Sequence, residues 1–480
     1  MYRFSNGQIA LEDFEQPVGM NLKASNRWVK KAQTIPWIDI EKRYAKLFTN
    51  RKGNVAKPLR LALGACIIQA EYGYSDEETA LQIQENPYLQ YFCGYTKYDD
   101  EHLPFDASTM VYFRKRLTPE VLGEINEIII KDAQERKQKD EHDDEDHHDD
   151  GNNGSEIDEG NSGTMIVDAT CAPSNIRFPQ DVSLLAEARE NAEKIIDELH
   201  KQEPEIRKPR TYRKQAHKDS LNYMRSRKHT EKKTRRAIKK QLGYLNRDLG
   251  AIDNMLAKGL ELSEKSIKKL ETLKKIYEQQ KYMYDRHTHT VADRIVSVSQ
   301  PFIRPIVRGK AGKPVEFGAK LDISVSNGWT RLECSSFEAY NESTKLQDAI
   351  ERYREREGHY PERVLADKIY RNRENLRFCK EHGIRLSGPA LGRPKKDEHR
   401  DKLQEYLDQN ERIEVERKFS LAKRKCNLGK VTTKREETVA YTIAMSIVVL
   451  NLRKIQRALF DFLLCLIMSF TDFERPGFIQ

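Results

Sequence analysis

Apolar residues recur at helical spacing through the first quarter of the chain. KPLRLALGACIIQAEYGYS carries them three and four apart, and SDEETALQIQENPYLQYFCGY predicts one capped helix ending near Gly94. DASTMVYFRKRL predicts a helix that starts at an N-cap, Asp106, and runs into Arg114, Lys115 and Arg116. Residues 1 to about 135 therefore read as helical. Beyond residue 160 the pattern changes to short apolar runs alternating with amphipathic ones. Residues 163–169 predict a strand and 181–285 a long, highly charged helical segment. RIVSVSQPFIRPIVRG and VEFGAKLDISVSNGWTRLE read as two strands of a hairpin turning over 309–314. STKLQDAIERYREREG is an amphipathic helix (Leu346, Ala349, Ile350, Tyr353) that Gly358 can cap. ERVLADKIY is a strand, RNRENLRFCKEHG a helix, IRLSGPAL a strand, and about 395 to 428 a last long helix.

An antiparallel hairpin continued by parallel strands through helical crossovers is the order of a ribonuclease H-like mixed sheet. The expected fold class is thus an α/β catalytic domain of that kind with a long helical insertion, plus an all-α N-terminal domain. Short helices followed by a basic one suit helix-turn-helix DNA binding, although taken alone the pattern fits a helical bundle with a solvated basic face better.

Composition separates the two parts. From Asp140 to Glu159 there are eleven acidic residues and no Lys or Arg, with Gly, Asn and His between them, the make-up of a solvated linker. The expected organisation is 1–138 helical, 139–162 acidic linker, 163–435 catalytic with the insertion 181–285, and 436–480 a C-terminal helix packed on the catalytic domain. At 480 residues the chain has room for such domains, and its net charge is +9 despite the acidic run. The remainder is strongly basic, which favours a polyanionic partner. Seven scattered cysteines without a C-x-x-C pair indicate neither a disulfide frame nor a zinc knuckle and fit a reducing cytosol. The N-terminus lacks the apolar core of a signal peptide. TVAYTIAMSIVVLNL is shorter than the roughly 20 residues a bilayer needs and is followed by Arg453, Lys454 and Arg457, so a buried helix is expected there and no membrane partner.

Three carboxylates stand where a metal ion could use them: Asp168 and Asp367 at the ends of strand-like runs, and Glu416 on a helical pattern rich in Arg and Lys. Two such charges at about 4 Å repel by roughly 4 kcal/mol at an effective dielectric near 20, so a cluster of them invites divalent cations. An isolated Asp at a strand end is more often a turn or cap residue. Arg412, Glu416, Phe419 and Lys423 share one helical stripe, because offsets of four and seven return to nearly the same angle. The plain reading of that stripe is a surface Arg–Glu pair. The functional one turns Glu416 toward metals and the cations toward DNA phosphates. In the insertion, residues 207–240 hold fifteen Lys/Arg against two acids, with Tyr212 and Tyr223 interleaved. Such a run is commonly a solvated face, yet its single sign favours nucleic-acid contact through Arg213, Lys214, Arg225, Arg227, Lys228, Lys232, Lys233, Arg235 and Arg236. No G-x-x-x-x-G-K-[ST] loop occurs, so no nucleotide cofactor is expected.

Over nearly its whole length the chain resembles a DDE transposase of bacterial insertion sequences, of the type named after insertion sequence five. The part through FRKRLTPEVLGEIN resembles that group's helical N-terminal domain. IVDAT resembles the strand with the first catalytic Asp, ADKIYRNRENLRFCKEHGIRLSGPALGRPKK the block with the second, and RIEVERKFSLAKRKCNLGK the block with the catalytic Glu. The resemblance thereby implies Asp168, Asp367 and Glu416 as catalytic and metal-binding. Around that Glu the family carries Tyr, two residues, Arg, three residues, Glu, six residues, Lys. Arg412, Glu416 and Lys423 match, and Gln409 stands in place of the Tyr. The resemblance also implies paired Mg²⁺ ions (Mn²⁺ as a substitute), in-line cleavage and strand transfer of double-stranded DNA at transposon ends and target, and a homodimer in the DNA complex. The alternatives are a nuclease of the same fold that does not join DNA, and a non-catalytic DNA-binding protein derived from a transposase.

Overall fold

A computed structural model describes the chain apart from residues 6–7, 50–52, 144–159, 206, 311–312, 390, 392–401 and 473–480. Most of the acidic run expected to be a linker, residues 144–159, lies outside the described residues, as does the start of the segment expected to be the last long helix.

The N-terminal part is helical: α1 (Arg27–Thr34), α2 (Trp37–Ala45), α3 (Leu59–Tyr72), α4 (Asp76–Glu85), α5 (Pro87–Phe92), α6 (Thr109–Arg116) and α7 (Pro119–Asp143). The single helix expected over 75–94 is two. Ser75 caps α4 by accepting from the Glu78 amide, and Asn86 caps α5, which begins at Pro87. A residue before proline is pushed out of the helical region, and Asn86 sits at φ −117°, ψ 108°. Asp106 is likewise not the cap of α6. That place belongs to Ser108, whose amide donates to the Asp106 carboxylate at 2.8 Å, so Asp106 closes the preceding turn.

The rest of the chain runs β1 (Thr164–Pro173), the insertion α8 (Asp181–His200), α9 (Arg213–Met224), α10 (Glu231–Leu256) and α11 (Glu264–Arg286), then β2 (Arg304–Lys310), β3 (Lys313–Ser326), β4 (Trp329–Ser336), α12 (Leu346–Glu357), β5 (Arg363–Leu365), α13 (Arg373–Glu381), β6 (Arg385–Leu386), α14 (Lys402–Lys425) and α15 (Glu436–Asp472). Gly358, at φ 84°, ends α12 as expected. The run 315–333 is not one strand: it reverses at Asn327–Gly328, where φ is +51° and +72°. Positive φ at both turn residues is the two-residue hairpin geometry for which Asn-Gly is the favoured pair. β3 pairs antiparallel with β2, β4 and β1, while β1, β5 and β6 are parallel, in the order β4-β3-β1-β5-β6. That is a ribonuclease H-like sheet.

Side-chain parity assigns its faces. Met165, Val167, Val364 and Ala366 pack with α12 and α13. Ile166, Ala172, Leu321, Ile323 and Leu365 share a core with Val415 and Phe419 of α14, with α15, and with the N-terminal helices. α15 accordingly lies between the N-terminal helices and the sheet. Buried Asn451 of α15 ties the three together: its amide donates to Asn126 of α7 at 2.8 Å and to the Thr330 carbonyl of β4 at 2.7 Å. The stretch Glu436–Ala458 is long and apolar enough to cross a membrane by composition alone, but 67% of its apolar window is buried in this core. The insertion keeps a separate core, in which Leu185, Ile196, Leu245, Ile252, Leu273 and Ile276 are fully or almost fully buried.

Candidate active site

β1 and β5 run parallel with Ile166 opposite Leu365. Continuing that register by two residues sets Asp168 beside Asp367. Both carry the parity of the α14 face, since Ile166 and Leu365 pack against α14 and α15. The local backbone holds each carboxylate: Asp168 accepts from the Ala169 amide at 2.8 Å, and Asp367 accepts from the Lys368 amide at 2.7 Å where the strand passes into a 3₁₀ turn. Asp367 is about half exposed.

α14 crosses this face of the sheet, anchored strand by strand. Arg385 of β6 holds Asp408 through two 2.8 Å contacts, Arg363 of β5 lies 2.9 Å from Glu411, and Lys423 donates to Thr170 of β1 at 3.0 Å. Between these anchors Arg412 reaches to 3.9 Å from Asp367. Glu416, one turn further on, is exposed and occupies the stripe between Arg412 and Lys423. Asp168, Arg412, Lys423 and Asp367 thus lie on the α14 face, but Asp168 does not end its strand as expected: β1 continues pairing with β3 to Pro173, so Asp168 stands midway along β1 while Asp367 lies just past the end of β5. Among the described residues no group of three or more His, Cys, Asp or Glu is arranged to hold a metal ion, so the expected cluster of Asp168, Asp367 and Glu416 is not gathered in this structure. The donor set is oxygen-only, which suits hard divalent cations, and a positive group, the Arg412 guanidinium, already faces Asp367.

Sequence pattern does not single out Asp322, which the structure sets next to this site. It lies opposite Ala169, on the other face from Asp168, 1% exposed and with neither carboxylate oxygen in a hydrogen bond. Burial pushes its carboxyl up to about 6 and the charge of Asp168 adds to the shift, while the neighbouring Tyr340 hydroxyl opposes it without reaching good hydrogen-bond geometry. Tyr370, three residues after Asp367, is buried beside the same carboxylates, and its phenol is held far above the usual range, by burial first and then by Asp322, Asp168 and Asp367. The only signal for Asp322 in the sequence is a lone acid at an inward position of a strand.

The residues expected to touch DNA divide into two groups. Arg114 is 11% exposed and grips Asp76 through contacts of 2.7 and 2.6 Å, and Arg116 lies over the Phe48 ring. In the insertion, Arg213 holds Asp197 at 2.8 Å, and Arg235 donates to the Tyr284 carbonyl while covering its ring. By contrast Lys214, Arg225, Arg227, Lys228, Lys232, Lys233 and Arg236 are exposed.

Residues 364–453 match the family described as Transposase DDE domain, and residues 18–116 match Transposase domain (DUF772). Both matches are consistent with a DDE transposase of insertion-sequence type. The first contains Asp367, Arg412, Glu416 and Lys423; Asp168 and the insertion lie between the two. The chain is also similar to an uncharacterized protein, ORF8 in the nfe locus of Rhizobium meliloti, with 37% identity over 97 residues, 20% of this chain and 46% of that protein. The match thus spans about half the length of that relative. No solved structure matches the chain.

Proposed function

We propose that this chain binds the inverted-repeat ends of an insertion sequence and catalyses DNA strand cleavage and strand transfer by in-line transesterification. What supports the reading is that Asp168, midway along β1, and Asp367, just past the end of the neighbouring β5, share the face that α14 crosses with Arg412 and Lys423. The family normally uses divalent metal ions. Here Asp168 and Asp367, joined by Glu416, would hold Mg²⁺ or Mn²⁺, which when bound supplies charge that favours a nucleophilic oxygen and steadies the leaving one. Arg412 offsets the Asp367 charge and meets a non-bridging phosphate oxygen once DNA arrives. Lys423, fixed by Thr170, orients the strand end on the far side of Glu416. Exposed Lys115 and the exposed cations of the insertion hold the duplex, double-stranded DNA being the partner for both ends and target. The protein acts as a homodimer on the nucleoid, in the cytoplasm.

The test is Asp367→Asn with terminal-repeat DNA and Mg²⁺. Binding is expected to survive while cleavage and joining are lost; cutting at the wild-type rate would remove Asp367 from the chemistry. Joined products from the native chain separate this function from a nuclease of the same fold, and cutting without divalent metal would oppose both.

A further inference from the structure

Where the chain enters α9 of the insertion, Tyr212 takes φ 55° and ψ 21°, the left-handed region that a bulky residue enters only against steric resistance. Such a conformation persists when its surroundings over-determine it, and it gathers at functional sites. Here the surroundings are explicit. Asp197 of α8 receives Lys208 at 2.7 Å and Arg213 at 2.8 Å, one before and one after Tyr212 in the chain. Arg213 and then Lys208, against burial, hold its carboxyl down to about 2. Behind Tyr212, Ala216 is fully buried, and its carbonyl accepts from the Gln241 amide of α10 at 3.1 Å. The turn is thus clamped to both neighbouring helices.

What the clamp presents is a ladder of cations and rings. The guanidinium carbons of Arg210 and Arg247 each lie 4.6 Å from the centre of the Tyr212 ring, and that of Arg247 lies 5.9 Å from the centre of the Tyr244 ring. Tyr244 is steadied in turn by Asp219 of α9, which accepts from its hydroxyl at 3.0 Å. Arg210, Tyr212 and Arg247 are exposed. A guanidinium that rests on a ring uses its flat face there, and its N–H edge stays open to oxygen acceptors. Among the described residues neither arginine is in an ion pair. Alternating planar cations and phenols are a surface on which bases stack and to which phosphate oxygens bond. A duplex keeps its bases stacked on one another, so the rings select an unpaired strand.

We propose that Arg210, Tyr212, Arg247 and Tyr244 form a stacking platform for an unpaired stretch of DNA. The assignment rests on the transposase reading for its nucleic-acid partner and adds to it a grip on a strand whose pairing has been opened. Its role differs from that of the exposed cations between residues 214 and 236, which meet the duplex backbone. Bases continue the ladder by stacking on its outer planes, and the flanking phosphates meet the arginine N–H edges. The clamp through Asp197 keeps the ladder assembled before DNA arrives, so little ordering is left to binding.

The experiment compares a single-stranded oligothymidine with a duplex of equal length, by fluorescence anisotropy on the full chain. Tyr212→Leu keeps an apolar side chain without a ring. It is expected to weaken the single strand about tenfold and the duplex by less than about twofold, with Tyr212→Phe as native. Arg210→Gln together with Arg247→Gln should make the salt slope for the single strand shallower by about 1.4 and leave the duplex slope in place. Both arginines are exposed, so this pair decides the matter where Tyr212→Leu fails to fold. Quenching of a 2-aminopurine base in the strand reports stacking directly; it should fall in Tyr212→Leu and persist in Tyr212→Phe. Folded variants with native single-strand affinity, an equal loss on both DNAs, or a native chain that binds duplex but no single strand overturns the platform alone. A native chain that binds neither DNA overturns the transposase reading with it.

Discussion

Replacing Lys214, Arg225, Arg227, Lys228, Lys232, Lys233 and Arg236 with Gln would remove seven exposed cations of the insertion and leave its core intact. None of the seven belongs to the apolar cluster of α8, α10 and α11. The cations that hold the bundle, Arg189 against Glu193 and Arg213 against Asp197, are untouched. Each phosphate neutralised contributes about 0.9 to the slope of log affinity against log salt. Seven contacts give a slope near −6, so a rise from 50 to 200 mM salt weakens binding by about 10⁴-fold in the native chain. The variant should lose most of that slope, and lose it equally for terminal-repeat and unrelated duplex, since phosphate contacts carry no sequence information. Fluorescence anisotropy across a salt series, with circular dichroism as the check on folding, measures it. An unchanged slope in a folded variant would refute the reasoning and make the run a solvated scaffold.

Arg114→Ala should lower stability by about 2 kcal/mol in urea unfolding, because it leaves Asp76, whose carboxyl is otherwise held low by the guanidinium, with the Gln69 amide as its remaining side-chain partner. The salt slope of DNA binding should stay put, and a fall in slope without a loss of stability would return Arg114 to the DNA interface. In the insertion, Asp248 is 1% exposed with both oxygens unpaired, and burial, then Glu193, pushes its carboxyl from 3.8 to about 7. The folded state therefore binds a proton between about pH 4 and 7 that the unfolded chain does not, and stability falls as pH rises through that window. Asp248→Asn should accordingly stabilise the chain at pH 8 by up to about 4 kcal/mol and do little at pH 4; a gain independent of pH in calorimetry would sink this account. Gly328→Ala should lower the melting temperature through its positive φ and its approach to Lys454, whereas Gly123→Ala, with open space around the added methyl, should be tolerated. Equal effects would mean the turn yields at little cost.

Much of the sheet is legible in the sequence because it rests on local pattern. Period-two apolar runs mark β1, β3 and β5, helical periodicity marks α12 and α14, and the four- and seven-residue offsets place Arg412, Glu416 and Lys423 on one stripe without any strand being positioned. Two local signals are outweighed. Asn327–Gly328 is a hairpin signature, but Val325 and Trp329 continue the apolar run across it, so 315–333 reads as unbroken. Asn86–Pro87 ends one helix and starts the next, yet apolar residues on both sides keep one period.

The illegible part depends on partners far away in sequence. Arg114 reads as a DNA contact because three basic residues stand in a row; its partner, Asp76, is 38 residues upstream, and nothing local distinguishes a paired arginine from a free one. Lys418 and Lys454 lie 90 and 127 residues from the turn carbonyls they reach. The same limit bears on the aspartate pair. Periodicity puts Asp168 and Asp367 at strand ends, whereas Asp168 in fact stands midway along β1, and their sharing of the α14 face needs the parallel register of β1 and β5, with Ile166 opposite Leu365. Side-chain period in a strand is two, so a slip of one residue would turn Asp367 to the face of Tyr370 and Asp322, away from Arg412 and Glu416. The chemistry proposed for this face is therefore tied to that register: a change that shifts β5 by one position, with every carboxylate still present, should abolish cleavage as completely as Asp367→Asn.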